Sequence, residues 1–466
     1  MLEWLVPFDL MKVDLQIHNT NRAMHQGGKW DLGDIGSFHF KSLNVDLRTS
    51  QKSILPHNTL IDVQNDNRFN GDTFSCEQYS SGGENWLSPV HVNQHNVVEI
   101  NKNGFDLKSD QQEHSGLRCQ PVINLKNNLA IRLEQFWQNF PKSVSVKNNL
   151  VTWGLFPATH CQHELQGGEK KTHSFWISLN SSNNNLANSQ TITKGTLDWE
   201  WIKQCQLYPF MAKQNAEPGS LQSIVELGIA PDNGFIAKRE KIDEYGWRHF
   251  GELYADHETA GYQGTELFVS HYNNQYDPIY GFLRQYLTTG NTQWFELADD
   301  LATHVKDIDI YHTKLDKNEY NGGLFWHTDH YLQAFTSSHR SYSKHQSSNA
   351  YQDHAGGGGP GGQHCYTTGL YLHYCMTGQQ SSKQAVLTLA NWITHVYEGS
   401  GTILELLLAF KNRHLAGYKN HFTGQYPLDR GNANYINALL DSYELTQDQN
   451  YLKKVENILS NTTHPN

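Results

Sequence analysis

Helix pairing in the second half of the chain is set by the stretch Tyr276-Asp-Pro-Ile-Tyr-Gly-Phe-Leu-Arg-Gln-Tyr286-Leu-Thr-Thr-Gly290-Asn291. Its apolar residues recur at helical spacing, and the glycine near its end is a helix stop signal. A second pattern with the same spacing follows, at Trp294, Leu297, Ala298, Leu301 and Val305. The two patterns predict a pair of helices that are joined by a tight turn.

The turn signature of this helical hairpin recurs twice. Tyr286-Leu-Thr-Thr-Gly290 is echoed by Tyr374-Cys-Met-Thr-Gly378 and by Tyr443-Glu-Leu-Thr-Gln447, at unequal spacing. Three hairpins with variable connections favour an α/α toroid over a solenoid, whose period is nearly fixed. A closed toroid needs more hairpins than these, so we expect a chain that is cut short at both ends.

The first half of the chain follows a different period. Leu129, Ile131 and Leu133 alternate with polar neighbours, and the run Val151-Thr-Trp-Gly-Leu-Phe156 continues the pattern, as strands require. Asn-Gly and Gly-Gly turns separate such runs, which indicates a β-sandwich. We therefore predict a multidomain β + α fold, a β-sandwich followed by a partial α/α toroid. Its expected parts are the end of an N-terminal β domain (1–45), the sandwich (46–245) and the incomplete toroid (246–466).

The composition limits the partners. The net charge of −11 argues against nucleic acid, and no apolar run is long enough to span a bilayer. Aromatic residues make up 12% of the chain, and such rings stack on sugars as readily as they fill a core. The six cysteines form no CxxC pair, which argues against a zinc ribbon.

A long connection, residues 311–369, carries most of the residues that suggest chemistry. A loop of this length is usually functional or disordered, and its aromatic residues favour function. It holds a glycine run, and six of its histidines are the candidates: His327, His330, His339, His345, His354 and His364. A neutral imidazole suits a general base near pH 7. His327-Thr-Asp-His330 leaves a metal site open as an alternative, although no zinc-protease spacing is present.

Several stretches resemble the exo-acting rhamnogalacturonan lyases of polysaccharide lyase family twenty-six. They are Trp30-Asp-Leu-Gly-Asp34, Ser80-Ser-Gly-Gly-Glu-Asn-Trp86, Phe136-Trp-Gln-Asn-Phe-Pro-Lys142, Glu164-Leu-Gln-Gly-Gly-Glu169, Asn321-Gly-Gly-Leu-Phe-Trp-His-Thr-Asp-His330 and the segment from His354 to Gly378. The likeness spans most of the chain from about residue 30. It implies an N-terminal β domain, a central sandwich and a C-terminal toroid, and β-elimination at a uronic acid.

Such an elimination needs a cation or donor set for the uronate, a base for the C5 proton and an acid for the leaving oxygen. Arg suits the first role, and His or Tyr suits the other two. We therefore predict catalytic roles for His354, His364 and Tyr366. The predicted substrate-binding residues are Arg340, Trp326, His327, His330, Arg248, Tyr254 and Arg413.

The expected partner is an acidic polysaccharide or oligosaccharide, with neither nucleic acid nor membrane. We predict no cofactor and no metal ligands, while a structural or uronate-bridging divalent cation such as calcium is left open. Two other functions also stay open. One is a glycoside hydrolase that uses paired carboxylates, and the other is a non-catalytic glycan-binding protein. The sequence indicates neither the oligomeric state nor the location, and an extracellular or periplasmic location stays open because a leader could be missing.

Overall fold

The computed structural model describes residues 1–5, 9–48, 59–62, 68–69, 73–110, 112–125, 129–147, 150–158, 162–179, 198–205, 219–254, 271–326, 343–344, 359–399, 401–411 and 419–463. The described residues form a mixed β + α fold, as the sequence predicts. Most of the strands precede most of the helices. Among these residues, no helix combines the length and the apolar character needed to cross a bilayer.

The strands build two large antiparallel sheets. The described strands are β1 (Leu2–Leu5), β2 (Leu10–His18), β3 (Phe38–Phe40), β4 (Leu43–Arg48), β5 (Thr59–Asp62), β6 (Arg68–Phe69), β7 (Thr73–Gln78), β8 (Phe105–Ser109), β9 (Glu113–Gly116), β10 (Gln120–Leu125), β11 (Leu129–Leu133), β12 (Lys142–Lys147), β13 (Leu150–Phe156), β14 (His163–Leu165), β15 (Lys170–Ser178), β16 (Tyr426–Pro427) and β17 (Thr462–Thr463). Seven strands follow the order β1-β2-β15-β11-β10-β5-β6, and six follow the order β4-β13-β12-β7-β8-β9. Two small pairs, β14-β3 and β16-β17, lie outside these sheets.

One hydrophobic core joins the two large sheets. Phe74 and Val144 from the six-stranded sheet and Ile123 and Ile131 from the seven-stranded sheet belong to the same buried cluster. Along β12 buried residues alternate with partly exposed ones, because successive side chains of a strand point to opposite faces. Both sheets therefore contribute side chains to one buried core.

The strands do not divide at residue 45. β2 pairs with β15 along its whole length, and β4 pairs with β13. Residues before the expected boundary thus contribute to the same two sheets as residues after it. Local alternation reveals a strand but not its pairing partner, and here the partners lie far along the chain.

Helices begin before the expected boundary at residue 245. Short helices lie within residues 199–242, and longer ones follow. The described helices are α1 (Trp199–Gln204), α2 (Leu221–Glu226), α3 (Phe235–Ile242), α4 (Pro278–Thr289), α5 (Thr292–His304), α6 (Thr368–Thr377), α7 (Gln380–Glu398), α8 (Ile403–Lys411), α9 (Arg430–Thr446) and α10 (Gln449–Ser460).

The three predicted hairpins are α4-α5, α6-α7 and α9-α10, and the members of each pair pack together. In each hairpin the residue after the first helix is left-handed and donates its N–H to the carbonyl of the predicted tyrosine: Gly290 to Tyr286, Gly378 to Tyr374 and Gln447 to Tyr443. Their equivalence is confirmed. The hairpins share one hydrophobic core, to which Leu283, Val386 and Leu439 belong.

Hydrogen bonds tie the sheets to the helices. The backbone N–H and the hydroxyl of Thr172 in β15 both donate to the carboxylate of Asp307, which follows α5, at 2.8 Å each. His312 donates its N–H to the carbonyl of Gly168 at 2.8 Å. The segment that follows α5 therefore lies against β15 and the residues directly before it.

Candidate functional site

A pocket of about 380 Å³ lies beside the segment that follows α3. Its walls come from residues near the ends of β7, β12 and β14, from the loop around residues 91–100 and from residues 246–249. Five histidines line it: His39, His91, His95, His163 and His249. We call this cavity the histidine pocket. Imidazoles are the side chains that change charge closest to neutral pH, so such a lining suits proton transfer.

His91 is fixed by a carboxylate from the segment after α3. Its Nε2 lies 2.6 Å from Oδ2 of Asp243, whose other oxygen accepts a hydrogen bond from Ser81 at 2.5 Å. Both side chains of the His91–Asp243 pair are almost fully buried, at 5% and 0% exposure. Because the carboxylate accepts, Nε2 of His91 carries a hydrogen, and in the neutral form of the imidazole Nδ1 carries the lone pair. This arrangement orients a base.

His249 is a buried neighbour of this pair. Its ring lies 6.1 Å from that of His91 and 5.6 Å from that of His271. Burial lowers the pKa of His249 well below its usual value, and the charges of His271 and His91 act in the same direction. His249 is therefore a neutral imidazole at pH 7.

Arg248 places a cation at the pocket wall. Its Nε donates to Oε1 of Glu169 at 2.8 Å, and its Nη2 donates to the backbone carbonyl of Glu164. The guanidinium lies 4.3 Å from the ring centre of Trp247. The predicted substrate-binding residue Arg248 thus lines a pocket, held in a defined orientation by a buried carboxylate.

β14 supplies the opposite side of the pocket. Nε2 of His163 donates to the carbonyl of Pro157 at 2.8 Å, and burial lowers the pKa of His163. The neighbouring Glu164 accepts from the N–H of Gly33 and from the hydroxyl of Ser37, both at 2.6 Å. These bonds fix Glu164 as an acceptor that shapes the pocket.

A second group of polar and aromatic side chains lies at the helical hairpins. The His364 ring stacks against Trp326 with centroids 3.8 Å apart, and Nη2 of Arg430 lies 3.4 Å from its Nε2. Tyr366 lies 6.1 Å from His364 and 6.4 Å from Tyr276, centroid to centroid. We call these five residues the rim cluster. It brings together three predicted residues, Trp326, His364 and Tyr366, with an arginine that the sequence did not single out.

The remaining predicted residues are divided between the described and undescribed parts of the chain. Tyr254 pairs with His271 through an isolated bridge, next to the segment that holds Glu252. The other five lie outside the described residues: His327, His330, Arg340, His354 and Arg413. Their roles stay predictions.

Sequence reasoning missed the His91–Asp243 pair because its members are 152 residues apart. Pairing of this kind leaves no local spacing pattern. Of the adjacent residues Arg248 and His249, only Arg248 was predicted from the sequence, because of its charge. Asp243 is a non-glycine residue in the left-handed region, with φ 59°. This conformation is visible in the structure and cannot be read from the sequence.

Among the described residues, Glu252, His304 and Asp309 could jointly hold a metal ion. All three are buried, and burial raises the pKa of Glu252, with Asp309 and Glu244 adding to the rise. No metal ligand was predicted from the sequence. No model of a known protein family matches this chain, and no curated protein is significantly similar to it.

Proposed function

We propose that this protein is a polysaccharide lyase that cleaves a uronate-containing, rhamnogalacturonan-like polysaccharide by β-elimination. The observation that supports the proposal most is the His91–Asp243 pair in the histidine pocket, which Arg248 also lines. The resemblance to polysaccharide lyase family twenty-six motivates the substrate class. In finer terms, we propose that the two sheets form a β-sandwich and that the hairpins are part of an α/α toroid.

In a galacturonate residue the C5 hydrogen and O4 lie on opposite faces of the ring, so the base and the acid approach from opposite sides. Arg248 faces the uronate carboxylate and lowers the cost of negative charge that develops at C5. Nδ1 of His91 takes the C5 proton while Asp243 stabilises the resulting imidazolium. The C5–H electron pair forms the C4–C5 double bond as the C4–O4 bond breaks, water on the opposite face gives a proton to O4, and His91 afterwards releases its proton to solvent. Neutral His249 contributes an N–H donor without repelling the imidazolium.

A glycoside hydrolase is the second candidate, because Glu99 and Glu164 line the same pocket. Hydrolysis would use one carboxyl group as acid and the other as base or nucleophile. Glu164 already accepts two hydrogen bonds, from Gly33 and Ser37, and Glu99 is exposed. Glu164 is thus held by donors of the protein itself and is not left free to act with Glu99 as a catalytic pair, so the lyase is preferred.

One assay separates these functions. The protein is incubated with rhamnogalacturonan and with another rhamnose–uronate polymer such as ulvan, and ultraviolet absorbance is followed alongside reducing ends. A lyase forms a conjugated double bond for each new chain end. New reducing ends without absorbance would establish a hydrolase instead. Neither signal, together with measurable affinity for the polymer, would establish a glycan-binding protein.

A further inference from the structure

A π turn after α5 brings two side chains with metal-binding chemistry to one face. α5 ends at His304, and Val305–Asp309 continue it in a wider turn that is closed by a hydrogen bond from Ile310 N to Val305 O. In a regular α-helix, residues five apart diverge by about 140° around the axis. Here Oδ1 of Asp309 lies 3.2 Å from Nε2 of His304. Turns of this kind frequently mark functional sites.

The orientation of His304 is that of a metal ligand. Its Nδ1 lies 3.2 Å from the carbonyl oxygen of Phe250, and a carbonyl only accepts, so Nδ1 carries the hydrogen. Nε2 is thereby aimed at two carboxylates, since Oε2 of Glu252 lies 3.6 Å from it. Metal-binding histidines commonly donate their other N–H to a backbone carbonyl in this way.

The two carboxylates are removed from solvent. Glu252 is 1% exposed and Asp309 is 0% exposed. The backbone N–H groups of Leu253 and Asn273 donate to Glu252 at 2.6 and 3.1 Å, which fixes its direction. Buried carboxylates are costly unless they are paired with a cation or coordinate a metal, and here they converge on one imidazole nitrogen.

We propose that Glu252, His304 and Asp309 bind one divalent transition-metal ion, and we name them the buried triad. Their ligand atoms all lie within 4.8 Å of one another. Around a tetrahedral ion with bonds of about 2.1 Å, ligand atoms are separated by about 3.4 Å, close to the observed 3.2 and 3.6 Å. One imidazole and two carboxylates suit zinc or manganese. A fourth ligand would be water or another donor.

The position of the buried triad indicates a structural ion. Glu252 follows Arg248 and His249 by a few residues, whereas His304 and Asp309 belong to the end of α5. An ion there would fasten the wall of the histidine pocket to the helical part of the molecule. The proposal does not depend on the lyase reaction, because it concerns only the metal content and stability of the chain.

The test is metal analysis of the whole chain purified without chelator, followed by titration of the stripped protein with Zn²⁺, Mn²⁺ and Co²⁺. We expect stoichiometric metal, visible absorption bands of bound Co²⁺, and a melting temperature that falls by several degrees with chelator and recovers with metal. His304→Gln and Asp309→Asn should each weaken metal binding at least tenfold.

His373→Gln is the matched control. His373 is equally buried and its Nε2 lies 2.9 Å from Asp299, but its Nδ1 lies beside the Ser382 hydroxyl. This variant should keep its metal. If the wild-type protein binds none of the three ions and melts identically with and without chelator, the buried triad shares a proton instead and the proposal fails. That result stands on the wild type even where a variant does not fold.

Discussion

Nε2 of His91 lies 2.6 Å from Oδ2 of Asp243, and this hydrogen bond links the loop after β7 to the C-terminal end of α3. Asp243 adopts the left-handed conformation there, and its carboxylate is 0% exposed. A buried acid at this point holds one imidazole in one orientation. Substitutions in this pair can therefore separate effects on activity from effects on stability.

Asp243→Asn should lower lyase turnover by about 10²–10⁴-fold, because the amide cannot stabilise the imidazolium that forms on His91. Asn tolerates the left-handed conformation, so the backbone is expected to be retained. Initial rates on the cleaved polymer and the melting temperature are the two measurements. Asp316→Asn is the control, since Asp316 pairs with His25 at 2.9 Å outside the histidine pocket. Equal losses in both variants would remove the special role of Asp243.

Substitution of two glycines at α4, one inside the helix and one directly after it, should change stability in opposite directions. Gly290 has φ 71° and Gly281 lies inside the helix, and a Cβ would meet open space at both positions. Gly290→Ala should destabilise the protein by about 1–2 kcal/mol, because an L-residue is strained there. Gly281→Ala should stabilise it by about 0.5–1 kcal/mol. Urea unfolding of both variants tests this. Changes of the same sign would show that packing, not backbone conformation, decides both positions.

In the third hairpin the opposite change, from a non-glycine residue to glycine, can be tested. Gln447 occupies with φ 60° the place that glycine holds in the other two hairpins. Gln447→Gly should stabilise the protein by about 0.5–1 kcal/mol, since relief of the left-handed strain is partly offset by the greater freedom of glycine in the unfolded chain. Equilibrium unfolding measures the difference. A destabilised variant would mean that the Gln447 side chain contributes more than its backbone strain costs.

These hairpins were predictable because their determinants are local. Helical spacing and a repeated tyrosine lie within a few residues of one another in each hairpin, and a glycine stop follows in the first two. The sheets were predictable only as strands. The pairing of β2 with β15 joins residues more than 150 positions apart, and nothing in either strand specifies the other.

Residues of the candidate site were likewise predictable only where their determinants are local. Arg248 could be selected for its charge, and His364 for its place between a glycine run and a helix. The partners that make a histidine chemically useful, Asp243 for His91 and Phe250 for His304, are supplied by the fold. The positions of these partners therefore follow from the fold, and no local spacing pattern indicates them.

The buried carboxyl group of Asp441 should make the stability of the protein depend on pH. Burial, above all, raises its pKa from 3.8 to about 7, although Thr367 and Thr368 donate hydrogen bonds to it. Between these values the folded chain binds a proton that the unfolded chain has released, so this stability is present below pH 4 and is lost as pH rises to 7. The whole effect is at most about 4 kcal/mol.

Asp441→Asn removes that titration. The stability of the variant relative to the wild type should increase between pH 5 and pH 8, measured by urea unfolding. Asp448→Asn is the control, because Asp448 is an exposed helix cap and Asn caps equally well. A difference between Asp441→Asn and the wild type that does not change with pH would show that Asp441 is ionised throughout.

The last prediction decides between the histidine pocket and the rim cluster. His91→Gln keeps a donor for Asp243 but cannot accept a proton, so it should lower turnover by about 10²–10⁴-fold. His364 is 1% exposed and stacks on Trp326 at 3.8 Å. His364→Gln should therefore lose about 1–3 kcal/mol of stability through packing and keep its turnover within a few-fold. Rates of double-bond formation and unfolding free energies are measured for both variants. His421→Gln, an exposed change outside the histidine pocket, controls for nonspecific loss. If His364→Gln abolishes turnover while His91→Gln retains it, the base lies in the rim cluster, where His364 and Tyr366 were predicted from the sequence.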